Sequence, residues 1–125
     1  MLCFLVIKIH AQTANQKKAL EIGQKAIVLV DEEKFDEGIK LLEEAQQLDP
    51  ENYHYPYEIG YAYHSKGDNK KALKYFNDLL KYKGISDRVY QMLGIVYDHL
   101  DDSAKAMKAY DDGLKIFPNS GKLFF

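Results

Sequence analysis

Shifted by 34 residues, the sequence meets itself. Ile59, Gly60 and Tyr63 fall on Leu93, Gly94 and Tyr97, and Ala72 and Phe76 fall on Ala106 and Tyr110. One period earlier, Ala26, Leu29, Gly38, Leu42 and Ala45 occupy the same places. Pro50 and Pro118 stand two periods apart, with Gly84, another helix-ending residue, at the place between them. The period marks three units: 19–52, 53–86 and 87–120. Such a period confines a chain to a repeat architecture, because one unit cannot bury its apolar face alone and must lean on the next.

Within a unit the spacing is helical. Tyr90, Leu93, Gly94 and Tyr97 form one apolar stripe, and Ala106, Tyr110, Gly113 and Leu114 form a facing stripe on a second helix. Gly94 opposite Ala106 lets the two backbones approach, with Tyr97 and Tyr110 filling the space around them. Lys66-Gly67-Asp68 and Leu100-Asp101-Asp102 break the periodicity inside units, and Gly67 suits a left-handed turn. Pro50 and Pro118 stop the chain between units, and Asn52 and Ser120 read as N-caps of the next helix in each case. Pro56 lies in or just before a first helical turn, where proline is tolerated. The pattern predicts helices over 15–31, 35–48, 53–65, 69–82, 86–99 and 103–116.

Aromatic-x-x-Leu-Gly-x-x-Tyr, then Ala-x-x-x-Phe, then Pro, on a 34-residue period, resembles the tetratricopeptide repeat. The third unit carries all eight signature places: Tyr90, Leu93, Gly94, Tyr97, Ala106, Tyr110, Gly113 and Pro118. The first departs at Lys25. The middle unit departs most, with Pro56, Leu79 and Gly84 at places for an aromatic, a small residue and proline. The resemblance implies an all-α fold, an α–α superhelix (solenoid) of three tandem helix-turn-helix units in a domain spanning 15–120.

Composition narrows the function. Seventeen Lys and Arg against nineteen Asp and Glu leave a formal charge of −2, without the basic surplus expected of a nucleic-acid binder. The single cysteine, Cys3, permits neither an internal disulfide nor a cysteine-based metal site. No apolar run is long enough for a membrane span. Of the histidines, His10, His54, His64 and His99, none sits in a His-x-x-x-His pair, and there is no Gly-rich phosphate loop. His64 and Asp98 stand one period apart, hence side by side on adjacent helices, and read as a surface pair rather than a catalytic one. The chain is therefore expected to be non-enzymatic and to use no cofactor or metal.

The ends depart from the repeat. Leu2-Cys3-Phe4-Leu5-Val6-Ile7, then Ala11-Gln12-Thr13-Ala14, resembles the apolar core and small-residue end of a secretory leader over residues 1–14. That points to export; the alternative is an extra turn of helix covering the edge of unit one. Residues 121–125 read as the start of a truncated fourth unit, with Phe124 at the place of its opening aromatic. Further repeats are expected beyond them.

The resemblance also implies a partner: a protein or peptide held in a groove lined by the first helix of each unit. Carried over, its lining is Leu20, Gly23, Ile27 and Val30; then His54, Tyr57, Tyr61 and His64; then Arg88, Gln91, Ile95 and Asp98. Tyr57 and Tyr61 are the expected anchors, since tyrosine brings large apolar area and a polar tip at low entropic cost. Some tetratricopeptide domains clamp the acidic tail of Hsp70 or Hsp90 with Lys, Asn and Arg. The matching positions here are Gly23, Ile27, Glu58, Arg88 and Met92, where only Arg88 suits a carboxylate and Glu58 repels one. The expected function is an interaction scaffold; the alternative is a structural segment of a larger exported multi-repeat assembly protein.

Overall fold

The computed structural model describes residues 2–124, with side chains from residue 14 onward. Among these residues there are six helices and no strand: α1 (Leu2–Asp31), α2 (Phe35–Leu48), α3 (His54–Lys66), α4 (Asn69–Leu79), α5 (Asp87–His99) and α6 (Ser103–Ile116). They divide into two compact units, Met1–Glu58 and Ile59–Phe125.

In the first unit, α1 buries Ala19, Gly23, Ala26 and Val30, a stripe of small side chains at four-, three- and four-residue spacing. Against it, α2 buries Gly38, Ile39, Leu42 and Ala45. A Cβ on Gly38 would stand 2.7 Å from Val30 Cγ2 and 3.0 Å from the Ala26 carbonyl, so glycine there sets how closely the helices approach. Helix α1 begins at Leu2, well before the expected 15. The reading of residues 1–14 as a leader rests on side chains outside the described residues.

In the second unit, Ile59 and Ala62 of α3 and Ala72, Phe76 and Leu79 of α4 are fully buried. Beyond them, Val89, Met92, Leu93 and Val96 of α5 are buried, as are Ala106, Ala109 and Tyr110 of α6. Tyr63 and Tyr97 are half-buried. Tyr63 stacks on Tyr75 at 5.7 Å, and Tyr97 packs against the cluster of Ala106, Tyr110 and Leu123. Helix α4 ends at Leu79 rather than at 82. The N–H groups of Leu80, Lys81 and Tyr82 turn back to carbonyls three residues earlier, and Gly84, at φ +72°, breaks the chain where the other units have proline.

The turn inside each hairpin is built three times over. Glu33, Gly67 and Asp101 stand one period apart and take φ of 63°, 95° and 59°. The next residue closes each turn: the N–H groups of Lys34, Asp68 and Asp102 donate to the carbonyls of Leu29, Tyr63 and Tyr97 at 2.8–2.9 Å. Asp68 and Asp102 then cap the second helix, accepting from the N–H of Lys71 and Lys105, whereas Lys34 has no capping side chain. The left-handed conformation costs an L-residue about 1–2 kcal/mol, partly offset in glycine by its greater chain entropy. Glu33→Gly should therefore raise stability by up to about 1 kcal/mol, and Gly67→Ala should lower it by about as much. Nothing lies within 4 Å of a Cβ at Gly67, so the backbone alone sets that sign. Urea midpoints of the two variants check both directions.

The C-terminal segment docks in a way the repeat pattern does not anticipate. Ser120 caps no helix; its Oγ donates to Asp87 Oδ2 at 2.6 Å, with Lys122 Nζ 3.6 Å from the same oxygen. The Ser120 hydrogen bond foremost, aided by the lysine, holds the Asp87 carboxyl below the usual aspartate range. Residues 121–124 are not helical, and Phe124 is 60% exposed. Leu123 is the buried residue, its Cδ1 where a Cβ on Gly113 would come within 2.7 Å.

Candidate functional site

Helix α3 has two characters. Tyr55, Pro56, Ile59, Gly60 and Ala62 are buried, while His54 and Tyr61 are exposed and Tyr57 and His64 are half-buried. Tyr61, 42% exposed, is the most exposed tyrosine of the helix. On α5, Arg88 and Asp98 are exposed and Gln91 and Ile95 half-buried, and their three- and four-residue spacing places them on one face. The Arg88 backbone N–H is engaged by the Ser86 Oγ that caps the helix, leaving its guanidinium outside the cap.

The expected pairing of His64 with Asp98 is corrected. His64 Nδ1 lies 2.7 Å from Asn69 Oδ1, and its ring meets His99 edge-on at 4.9 Å. Asn69, five residues on at the start of the next helix, supplies a nearer acceptor than the aspartate one period away. His99 in turn donates from Nδ1 to the Ile95 carbonyl at 2.9 Å. Both ring nitrogens that make these bonds face carbonyl-type oxygens, so each is the protonated one in the neutral ring. Among the described residues, no three His, Cys, Asp or Glu side chains gather into a possible metal site. No helix among them is long and apolar enough to cross a membrane.

Of the four lining positions expected in the first unit, two are exposed and two are buried. Leu20 and Ile27 are 54% and 40% exposed. Val30 is buried against α2, and Gly23 lies beneath the Tyr55 ring, whose Cε1 would be 2.7 Å from a glycine Cβ. Around Leu20, Gly23 and Ile27 is a pocket of about 230 Å³. Leu20, Gly23, Gln24 and Ile27 come from α1, Leu42 from α2, Tyr55 and Glu58 from α3, with Asn52 and His54 at the start of that helix. Asn52 Oδ1 accepts from the His54 N–H at 3.0 Å, and its amide donates to Asp49 Oδ2 at 3.2 Å, which fixes the entry to α3. Burial, and secondarily the Asp49 carboxylate, pushes the Tyr55 phenol above its ordinary range, so it stays neutral.

Of the eight residues expected on the groove in the second and third units, only His54 lines this pocket. Tyr55 was missed as a lining residue, although the period could have found it. Tyr55, Val89 and Leu123 stand 34 residues apart, and all three are buried.

Paired antiparallel helices joined by matching turns, with first helices that expose aromatic and apolar side chains, define a helical-repeat module. The sequence matches the tetratricopeptide repeat over residues 24–88 and again over 87–120. The chain belongs to the tetratricopeptide repeat family. Among solved structures it is similar to the first such domain of Spaghetti (RPAP3) bound to the HSP90 peptide SRMEEVD. That match has 23% identity, a TM-score of 0.76 and 86% of each chain covered. The Sgt2 domain of Aspergillus fumigatus is 18% identical, with a TM-score of 0.75 over 85% of this chain and 72% of that one. The Arabidopsis OM64 domain is 14% identical, with a TM-score of 0.74 over 87% and 90%. At these identities the likeness is one of fold. No curated protein matches the chain.

Proposed function

We propose that this chain is a non-enzymatic interaction scaffold that holds a peptide or helix of a partner protein on its first-helix faces. The observation that carries this reading is the outward aromatic and apolar surface of those helices: Leu20 and Ile27 on α1 and Tyr61 on α3. Single exposed apolar residues are ordinary, but Ile27 and Tyr61 fall at matching places of successive repeats. Tyr57 lies one turn from Tyr61, and Arg88 offers α5 a cation for an acidic group of the partner.

The HSP90 peptide bound by the RPAP3 domain is acidic at its end. The equivalent places here do not favour such a ligand. Gly23 is covered by Tyr55, Met92 is buried, and Glu58 presents a carboxylate that repels an acidic group. Tyr57→Ala combined with Tyr61→Ala should abolish most partner capture while shifting the melting temperature by only a few degrees. Pull-downs from extract with the wild-type and doubly substituted chains, compared by mass spectrometry, check this. Equal recovery from both, or a double variant that no longer folds, overturns the assignment of these tyrosines.

A further inference from the structure

The first unit differs in charge from the second. Residues 1–58 carry eleven carboxylates against six lysines, an excess of five negative charges. Residues 59–125 carry eleven basic residues against eight acidic ones, an excess of three positive charges. The near-neutral total conceals this division. The 230 Å³ pocket lies wholly within the acidic unit. Its walls are apolar, from Leu20, Ile27, Leu42 and Tyr55; its one charged residue is Glu58, and neither lysine nor arginine lines it.

We infer that this pocket seats an apolar side chain of a peptide whose neighbouring residues are basic. The inference rests on the peptide-binding reading and names the chemistry of the ligand. A pocket of about 230 Å³ is below the size of drug-sized ligand sites and suits a side chain rather than a whole small molecule. Burial of the apolar tip against Leu20 and Ile27 supplies attraction without regard to charge. The acidic unit then selects among peptides that share that tip: flanking lysines or arginines are drawn to it, and flanking carboxylates are repelled. Since nine of the unit's eleven carboxylates are exposed, salt should erode this preference while leaving the apolar contribution in place.

Three blocked nonapeptides test it, each with one central leucine and flanked by lysines, serines or glutamates, titrated into the ¹⁵N-labelled chain by NMR. The lysine peptide should bind roughly five- to tenfold tighter than the serine peptide, and the glutamate peptide should bind weakest. The lysine peptide should shift the amides of Leu20, Ile27, His54 and Glu58, and the preference should shrink in 0.5 M salt. Leu20→Ser with Ile27→Ser, both at exposed positions, should lose binding of all three peptides; Glu58→Gln should lose only part of the lysine preference. Equal or tighter binding of the glutamate peptide overturns the inference and leaves the scaffold reading standing. So do shifts confined to Tyr61 and α5. If no peptide moves any amide, the inference falls, and capture or loss of a partner by the wild-type chain in the pull-down separately decides whether the scaffold reading falls with it.

Discussion

Phe76→Ala will cost about 3–5 kcal/mol, the usual loss when a fully buried aromatic ring is cut back to a methyl group. Among the described residues Phe76 is the largest side chain with no exposure, and Gly60 on α3 shows how closely its ring is held. A Cβ on that glycine would stand 3.0–3.2 Å from three atoms of the ring. Native domains have about 5–15 kcal/mol in total, so the variant should be close to unfolding at about 37 °C. Phe76→Leu keeps most of the volume and should lose only about 1–1.5 kcal/mol. Adding Gly60→Ala to Phe76→Ala should recover part of the deficit, because the new methyl enters vacated space and the helix gains about 1 kcal/mol from losing a glycine. Urea unfolding with a common slope gives all three values. A Phe76→Ala loss below about 1 kcal/mol would show that α3 and α4 do not share this ring as their core.

The core of the third hairpin was legible because two independent regularities agree there. The helical stripe and the 34-residue period both select Tyr90, Tyr97, Ala106 and Tyr110, and these pack together. Where only one regularity operated, the reading slipped. Helix α1 is apolar on several sides, with Leu20, Ile22, Ile27, Val28 and Leu29 beside the small residues. Nothing in that pattern checked the lining carried over from the resemblance, Leu20, Gly23, Ile27 and Val30, against the buried stripe of Ala19, Gly23, Ala26 and Val30. In Tyr53-His54-Tyr55-Pro56-Tyr57 every residue is ring-bearing, so no contrast between polar and apolar positions marks Tyr55 as the inward one. Residues one period apart occupy equivalent backbone places, but their side chains choose local partners. His64 takes Asn69, Ser120 takes Asp87, and Leu123 displaces Phe124 from the buried place. The charge division that distinguishes the pocket was hidden in a total near zero.

Gly94→Ala tests that period at its tightest point, with an expected loss of about 2–3 kcal/mol from overpacking, or about 10 °C in melting temperature. Across the three hairpins, the same two repeat places hold Ala26 with Leu42, Gly60 with Phe76 and Gly94 with Tyr110. As the second residue grows, the first loses its side chain. The geometry keeps the same order. A Cβ on Gly60 would graze the phenylalanine ring at 3.0 Å, but one on Gly94 would stand 2.2 Å from Tyr110 Cζ and 2.3–2.6 Å from both Cε atoms. Tyr110 is buried among Ala106, Leu123 and Tyr90, so its ring has no free direction in which to retreat. Gly60→Ala should therefore stay within about 1 kcal/mol of wild type, since a shift of a few tenths of an ångström is offset by the helix preference for alanine. Tyr110→Leu removes the ring atoms that the new methyl would strike. In that background Gly94→Ala should become neutral or stabilising, giving a coupling of about 2 kcal/mol in the double-mutant cycle. Additive losses would mean that Gly94 is needed for some reason other than the tyrosine ring, and that the inverse sizes at these places are coincidental.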